Sequence, residues 1–183
     1  FVKAITSTPL RDIAPVWVDY NKDLQKSKAG IADVLYVPNK DNSIFRLSYY
    51  FDQGNFNNRV LPIALQYLQF LGTDKMSAED ITKQFYNLAA SFSANAGNEE
   101  TTVTISGLQE NFSKAVSLFE DLLRNCKPDA AALEALKDRL LKSRANNKTN
   151  KGAIAAAIQN YAIYGQNNPY NYVLTNEEIK SLK

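Results

Sequence analysis

Two pairs of carboxylates are the residues of this chain whose spacing could support chemistry. Glu99 and Glu100 are adjacent, and paired carboxylates can divide the roles of general acid and general base between them. Glu134 and Asp138 lie at i and i+4, so on a helix they share a face and could bind a divalent cation. The first pair lies beside a predicted hairpin turn, which favours solvated charge. The second pair lies among basic residues, which favours a salt-bridged surface.

The residue types of this chain do not favour nucleophilic catalysis. The chain has no His and one Cys, Cys126, so no Ser/His or Cys/His arrangement can form. A single Cys cannot make an internal disulfide. Cys126 ends an apolar helical pattern, which is typical of a small buried thiol rather than a nucleophile. An independent enzyme that uses other residues is therefore the least favoured hypothesis.

A series of basic residues could mark a phosphate-binding track, but its context disfavours nucleic acid as a partner. The net charge is only +2, and the series lacks interleaved aromatic residues and a Gly-rich loop. The series consists of Lys137, Arg139, Lys142, Arg144, Lys148 and Lys151.

The composition predicts one globular domain. The chain has 183 residues, is 45% hydrophobic and contains ten Tyr and nine Phe, which is enough to build a core. No apolar run approaches the roughly 18 residues that a membrane span needs. Residues 1–30 contain Pro9, Pro15 and a polar run, and we expect a lead-in or linker there. The first residue is Phe1, which suggests an excised piece whose compartment the sequence leaves open.

Two pairs of strands are predicted. Residues 31–37 are rich in β-forming types and stop at a turn cluster, and residues 44–51 alternate apolar and polar types. These two strands predict an antiparallel hairpin. Residues 91–94 and 100–106 alternate again, with a Thr- and Ser-rich outer face. The turn at 95–98 is expected to supply the positive φ angles of a second hairpin.

The first two helices follow from a change of period. Apolar residues recur at spacings of three and four between Val60 and Leu71, which predicts an amphipathic helix that ends at Gly72. Its inward residues are Val60, Ile63, Ala64, Tyr67, Leu68 and Leu71. Ser77 and Asp80 then have the spacing of a capping box that opens a second helix.

Four further helices are predicted in the second half. One covers residues 109–125 with Leu123 among its inward residues, and Asp129 caps the next one. An Ala-rich helix at 153–164 ends at Gly165, and Thr175 opens another capping box. Paired strands that alternate with paired helices indicate an α+β fold, with helices packed on one face of a mainly antiparallel sheet.

Five stretches together carry a family resemblance across residues 31–183. The first is the strand 45–54, whose last residue is Gly, and the second is Phe70-Leu71-Gly72-Thr73. The third is Ala94-Asn95-Ala96 followed by Thr101-Thr102-Val103-Thr104. The fourth is Tyr164-Gly165 with Pro169-Tyr170, and the fifth runs from Leu174-Thr175 through Leu182. Their order and spacing resemble the pitrilysin/insulinase family of zinc metallopeptidases. The resemblance implies that 31–183 is the first part of an inactive metallopeptidase-like domain, truncated at its C-terminal side.

The resemblance also implies that the chemistry of the family is missing here. Active members carry H-x-x-E-H on the helix that ends in F-x-G-T, with two His as zinc ligands and Glu polarising water. The corresponding positions hold Ile63, Gln66 and Tyr67. The further Glu ligand would fall within residues 140–144, which contain no carboxylate. We expect Ile63 and Tyr67 in the core, Gln66 exposed, and no catalytic, cofactor-binding or metal-binding residue.

The function that this resemblance implies is that of a non-catalytic domain. Such domains close like a clamshell with an active domain, in the same chain or a partner subunit, where zinc is expected. The inactive half shapes the chamber and helps to hold peptide. The family's substrate contacts would fall beyond Lys183, so no substrate-binding residue is assigned.

The alternative is a scaffold subunit of a processing-peptidase-like complex without a proteolytic role. A periplasmic or secreted bacterial setting is a family-level expectation. A half-domain should also expose a sheet edge, which predicts self-association or binding to the missing half.

Overall fold

The computed structural model describes residues 14–15, 17–168 and 171–183. They divide into two units, one ending at Asn42 and one running from Ser43 to Lys183. Pro9 of the predicted lead-in and the Pro169-Tyr170 pair of the family resemblance lie outside the described residues.

The first unit contains an antiparallel hairpin of two exposed strands, β1 (Gln25–Ala29) and β2 (Ala32–Tyr36). Ala29 is opposite Ala32, so the turn consists of Gly30 and Ile31, and Gly30 has a φ of +62°. The predicted pairing of residues 31–37 with 44–51 is therefore wrong. A two-residue turn with a left-handed glycine closes the local hairpin, and the polar sequence of β1 gives no alternating apolar signal.

The second unit is built on a three-stranded antiparallel sheet in which Thr101–Leu108 is the central strand. Its strands are β3 (Ile44–Phe51), β5 (Ala90–Ala96) and β6 (Thr101–Leu108). In β6, Thr101, Val103 and Ile105 are buried on one face. The other face carries hydroxyl pairs across strands, such as Ser48 with Thr104 at 2.9 Å. The predicted Thr- and Ser-rich face is confirmed.

The predicted hairpin between β5 and β6 is confirmed, but its turn geometry is not. Ala96 is opposite Thr101, and the Gly97 N–H donates to the carbonyl of Glu100 at 2.8 Å. Among the described residues, positive φ angles occur at Gly30, Ala89 and Gly165, and none occurs at 95–98. The turn is four residues long, so it reverses the chain without the left-handed residues that a two-residue turn requires.

Six α-helices, one short strand pair and 3-10 turns at Gln109–Asn111 and Gly165–Asn167 complete the described part of the second unit. No helix among the described residues is both long and apolar enough to cross a membrane. The helices are α1 (Leu61–Leu68), α2 (Ala78–Asn87), α3 (Phe112–Asn125, after a 3-10 turn at Gln109–Asn111), α4 (Ala130–Asn147), α5 (Lys151–Tyr164) and α6 (Asn176–Ser181), and the short strands are β4 (Gly72–Thr73) and β7 (Cys126–Lys127).

The short strand pair of β4 and β7 shows that two predictions about the ends of helices are wrong. Helix α1 ends at Leu68 rather than at Gly72, because Gly72 enters β4 and pairs with Lys127. Cys126 is exposed rather than buried, because its backbone is extended (φ −60°, ψ 138°) and leaves the apolar face of α3.

Some inward assignments on the helices also fail. Val60 is 38% exposed, because it lies at the N-cap of α1 rather than on its buried face. Leu123 is half exposed, because it lies at the margin of the buried stripe of α3 that Ala115, Phe119 and Leu122 form. Ala64 of α1 is exposed, while Leu65 packs against the main core in its place.

The predicted helix caps are confirmed. Ser77 and Asp80 form a reciprocal capping box at α2, and Thr175 and Glu178 form another at α6. The Asp129 carboxylate accepts the N–H of Ala132 at 2.9 Å. Such caps satisfy N–H groups that a helix leaves without intrahelical partners.

Two apolar clusters hold the second unit together. The main core lies between the sheet and helices α2 and α3, and contains Ile105, Phe119 and Leu122. The second cluster joins α1, α4 and the C-terminal segment, and consists of Ile63, Leu136, Leu174 and Ile179. The predicted α+β fold with a mainly antiparallel sheet is confirmed, and the second cluster forms the floor of the candidate site.

Candidate functional site

Ile63, at the position of the first His of the family motif, lies in the second cluster. Its side chain is buried against Leu136, Leu174 and Ile179. The expectation that Ile63 belongs to the core is confirmed. An aliphatic side chain has no lone pair to donate to a metal, and its burial stabilises the contact of α1 with the C-terminal segment.

Tyr67, at the position of the second His, packs against the same cluster and bonds to the start of α4. Its hydroxyl donates to the carbonyl of Asp129 at 2.7 Å and accepts the N–H of Asp129 at 2.7 Å. The phenol therefore satisfies both backbone groups of the residue that caps α4. Tyr67 is half buried, as expected for a core residue with a polar end.

Gln66 occupies the position of the catalytic Glu, and it is half buried rather than exposed as predicted. It faces a cavity of about 310 Å³, here called the arginine cavity. Gln66 is partly covered because the hairpin turn between β5 and β6 lies across the cavity from α1. Its lining includes Arg59, Ile63, Gln66, Asn98, Leu140 and Arg144.

The segment 140–144, where the resemblance places the third ligand, lies on α4 beside the same cavity. Leu140 and Leu141 pack against the second cluster, and Arg144 is half buried at the cavity wall. The guanidinium of Arg144 donates to the Asn176 side-chain oxygen at 3.0 Å. The structure thus brings the three motif positions close to the segment 140–144.

A zinc ion does not fit this set of side chains. Catalytic zinc takes three protein ligands from His, Cys or carboxylate groups, whereas Ile63, Gln66 and Tyr67 supply none of these. Within 14–15, 17–168 and 171–183, no three His, Cys, Asp or Glu residues are grouped so that they could hold a metal. The guanidinium of Arg144 beside the cavity would repel a cation.

Loop 54–59 forms one wall of the arginine cavity and is tied to the C-terminal segment. The Asn55 amide donates to the carbonyl of Tyr172 at 2.8 Å. Arg59 makes a bidentate contact with Glu178, with the shorter N–O distance 2.7 Å. These residues could not be predicted from the sequence, because contacts between residues more than a hundred positions apart leave no local pattern.

The carboxylate of Glu178 has two roles at this wall. It accepts the Thr175 N–H at 2.6 Å within the capping box and also pairs with Arg59. Hydrogen bonds from the Thr175 backbone, and next from Arg59, hold the pKa of Glu178 below its usual value of 4.5. The site therefore depends on an ionised Glu178.

This lowered pKa predicts acid-sensitive folding. A carboxyl group with a depressed folded-state pKa stabilises the fold above its unfolded-state pKa, and the contribution is lost as the pH falls below about 4.5. We expect the thermal unfolding midpoint of Glu178→Gln to fall less than that of the wild type as the pH is lowered through this range. The control is Glu177→Gln, at an exposed neighbour. An equal fall of the thermal midpoint at acid pH in the wild type and in Glu178→Gln would contradict the prediction.

Apart from Arg144, the candidate carboxylates and basic residues do not line the arginine cavity. Glu99 and Glu100 are exposed, as predicted. Glu134 pairs with Lys137 at 2.7 Å, which confirms the salt bridge. Lys137 is buried rather than on the surface, and its ammonium also donates to the carbonyl of Lys180 at 3.3 Å. The guanidinium of Arg139 lies over the Phe70 ring, 5.1 Å from its centroid.

Strand β5 presents an outer edge next to α1. No strand within the described ranges pairs with that edge. In an antiparallel pair, residues alternate between those that bond to the neighbouring strand and those whose N–H and C=O point away from it. Counted from the Gly97–Glu100 bond, the residues of β5 whose backbone groups point to the outer edge are Ala90, Phe92, Ala94 and Ala96. Ala94 is buried, while the other three are half buried. The outward backbone groups of Phe92 and Ala96 therefore have no strand partner among the described residues.

The family of the chain follows from comparison with known proteins. The insulinase family, peptidase family M16, matches residues 64–175, which is more than half of the chain. The chain therefore belongs to the insulinase family of peptidases. The matched region contains α1 from its fourth residue, the sheet strands β5 and β6, and helix α4, which lines one side of the cavity.

Two curated relatives are mitochondrial proteins. The chain is 30% identical over 78 residues to the mitochondrial-processing peptidase subunit beta of Neurospora crassa, covering 43% of this chain and 16% of that protein. It is 27% identical over 86 residues to cytochrome b-c1 complex subunit 1 of Bos taurus, covering 47% of this chain and 18% of that protein. The matched segments are less than a fifth of either relative.

Solved structures share the fold. A peptidase M16 inactive domain from Pseudomonas fluorescens superposes with a TM-score of 0.72 at 22% identity, covering 88% of this chain and 41% of that one. A mutant of the ferredoxin protease FusC, in complex with Arabidopsis ferredoxin, gives a TM-score of 0.72 at 14% identity, covering 93% of this chain and 19% of that one. The fold predicted from the resemblance is confirmed.

Proposed function

We propose that this chain is part of a non-catalytic domain of a zinc-dependent peptidase, where it forms half of a clamshell chamber and helps to hold peptide substrate. The observation that carries the proposal is the second cluster. The positions at which active members of the family bind metal hold Ile63 and Tyr67, and both pack against this cluster. An apolar contact has taken the place of a ligand set, so the helix α1 serves the fold rather than a metal.

The outer edge of β5 supports the peptide-holding role. An extended peptide can add to such an edge through main-chain hydrogen bonds, while pockets select alternate side chains. An apolar cavity of about 300 Å³, lined by Ile81, Phe85 and Phe92, lies near one end of β5. The arginine cavity lies near the other end, beside Ala96. Edge and cavities together provide the parts of a peptide-binding groove.

The proposal assigns zinc to a partner active domain, in the same chain or a separate subunit. When bound there, zinc would activate the attacking water. The residues of this chain would position the peptide and exclude solvent from one side of the chamber. The name of the Neurospora relative, a subunit of a processing peptidase, and the ferredoxin bound to FusC support a divided architecture and a polypeptide ligand.

A scaffold without a proteolytic role is the second candidate. The likeness to cytochrome b-c1 complex subunit 1 favours it, because that relative is named for its place in a complex rather than for a peptidase activity. The two candidates differ in whether the β5 edge binds peptide.

The non-catalytic assignment is tested by metal content and hydrolysis. We expect the purified chain to retain less than stoichiometric zinc after dialysis against micromolar zinc, measured by plasma mass spectrometry, and to leave a fluorogenic peptide uncleaved. A triple variant, Ile63→His with Gln66→Glu and Tyr67→His, is the comparison, because it restores the motif without a third ligand. Stoichiometric zinc together with chelator-sensitive cleavage by the unaltered chain would refute the assignment.

Peptide holding is tested by residue-resolved amide hydrogen exchange. The probe is a nine-residue peptide with central Phe, Asp at both ends and Val and Thr between, with an acetylated N-terminus. We expect it to slow exchange at Phe92 and Ala96, and not at Arg46 and Tyr50, which the register places at the outer edge of β3. Unchanged exchange along β5 at saturating peptide would favour the scaffold.

A further inference from the structure

The arginine cavity combines an apolar floor with cationic walls. Ile63, Leu140, Leu174 and Ile179 line its floor, and two arginines with the amides of Asn55, Gln66 and Asn98 stand around it. A pocket with an apolar base and a few convergent polar groups is the usual form of a site for a small group of a ligand. The charges of the two arginines decide which group fits.

The two arginines are in different electrostatic states. Arg59 is neutralised by Glu178, which it contacts at 2.7 Å. Arg144 donates to the neutral amide of Asn176, and it has no ion pair within 4.0 Å among the described residues. Arg144 is also half buried, so its charge is less screened than that of an exposed arginine. A carboxylate can pair with a guanidinium in two parallel hydrogen bonds.

The cavity lies where a peptide on the β5 edge would reach it. The cavity lining includes the last residue of β5, Ala96, and the first two residues of the turn that follows, Gly97 and Asn98. Phe92, four positions earlier, lines the apolar cavity near the other end. Because side chains two and four residues apart on a strand point to the same face, one extended peptide could occupy both cavities, roughly 13 Å apart along the strand.

We infer that the arginine cavity binds a carboxylate of an extended peptide through Arg144, so that this domain selects peptides with an acidic group about four residues from an apolar side chain. The inference rests on the proposed function, since it specifies which peptides the β5 edge holds. The segment where the family resemblance expects an anionic metal ligand carries a cation here. The site has therefore changed from one that would hold a cation to one that holds an anion.

The carboxylate can come from an acidic side chain or from a peptide C-terminus, and four versions of the probe peptide separate these sources. One has both Asp residues and a free C-terminus, one is amidated at the C-terminus, one has Asn in place of Asp, and one carries both changes. Binding is measured by fluorescence anisotropy, with a dye that carries no carboxylate in place of the N-terminal acetyl group. The peptide without any carboxylate should bind about tenfold or more weakly than the first.

Three variants assign that loss to Arg144. Arg144→Gln should weaken the carboxylate peptides about tenfold and leave the peptide without carboxylate unchanged. Arg144→Lys should recover part of the loss, because it keeps the charge without the planar pair of donors. Lys142→Gln, which removes an exposed charge from the same helix, is the control and should leave all four affinities unchanged.

The outcomes separate the inference from the proposed function. Equal affinity of all four peptides for the unaltered chain, with exchange still slowed at Phe92 and Ala96, would overturn the inference and leave peptide holding intact. An equal loss for all four peptides in Arg144→Gln would show a structural role for Arg144 and would also overturn it. If no version of the peptide binds, both the inference and peptide holding fail.

Discussion

Replacing Phe119 with Ala should lower the free energy of unfolding by about 3–5 kcal/mol. Phe119 is 2% exposed and lies at the centre of the main core, between the sheet and helix α2. Its ring is 5.0 Å from that of Phe92, which in turn is 5.1 Å from Phe85. Truncation removes this aromatic contact and leaves a cavity that the surrounding strands cannot close.

Urea unfolding followed by circular dichroism measures this loss. The matched control is Leu123→Ala on the same helix, since Leu123 is 49% exposed and should cost less than about 1 kcal/mol. A similar loss for the two variants would mean that helix α3 presents a different face to the sheet. The loss in Phe119→Ala should also weaken any peptide binding at Phe92, because that residue packs on the removed ring.

Replacing Gly54 with Ala should destabilise the fold by about 1–3 kcal/mol and open the arginine cavity. A Cβ atom at residue 54 would lie 2.6 Å from the backbone carbon and oxygen of Asn98. Backbone atoms cannot rotate aside as a side chain can, so the loop and the hairpin must separate. That separation breaks the bonds from the Asn55 N–H to Gly97 and from the Phe56 N–H to Asn98, both 2.8 Å.

The matched control for Gly54→Ala is Gly97→Ala in the facing turn. Its nearest contact would be 3.3 Å, to the Glu100 carbonyl, which a small shift can relieve. The thermal midpoint should therefore fall clearly for the first variant and little for the second. Faster amide exchange at Asn55 and Phe56 would report the separation directly. Unchanged exchange there in Gly54→Ala would contradict the predicted clash.

Local chemistry explains why most of the elements could be predicted from the sequence. The capping boxes at Ser77 and Thr175 and the cap at Asp129 act within one helical turn, so their partners are visible in the sequence. The same holds for Gly165, whose positive φ of 63° ends α5. Strand β3 was predicted at its observed bounds because its alternating pattern matches the period of a strand.

Predictions failed where the outcome depended on distant partners. The strand pairing of β2 was wrong because alternation indicates a strand but not its neighbour. Cys126 was expected to be buried, yet pairing with Thr73 places it in an exposed strand. Gln66 was expected to be exposed, yet the turn of another hairpin and the C-terminal segment enclose it.

The sequence by itself determined that the family's ligand types are absent. Ligand chemistry is a property of residue type, so a chain without His, with Ile63, Gln66 and Tyr67 at the motif positions, could be interpreted before any fold was known. Only the tertiary structure decided what replaced that site. It joins Arg59 to Glu178 and Tyr67 to Asp129. It also places the charge of Arg144, which has no ion pair among the described residues, beside an apolar floor. These contacts link segments that are far apart in the chain, and their distances are set by the packing of helices rather than by local sequence.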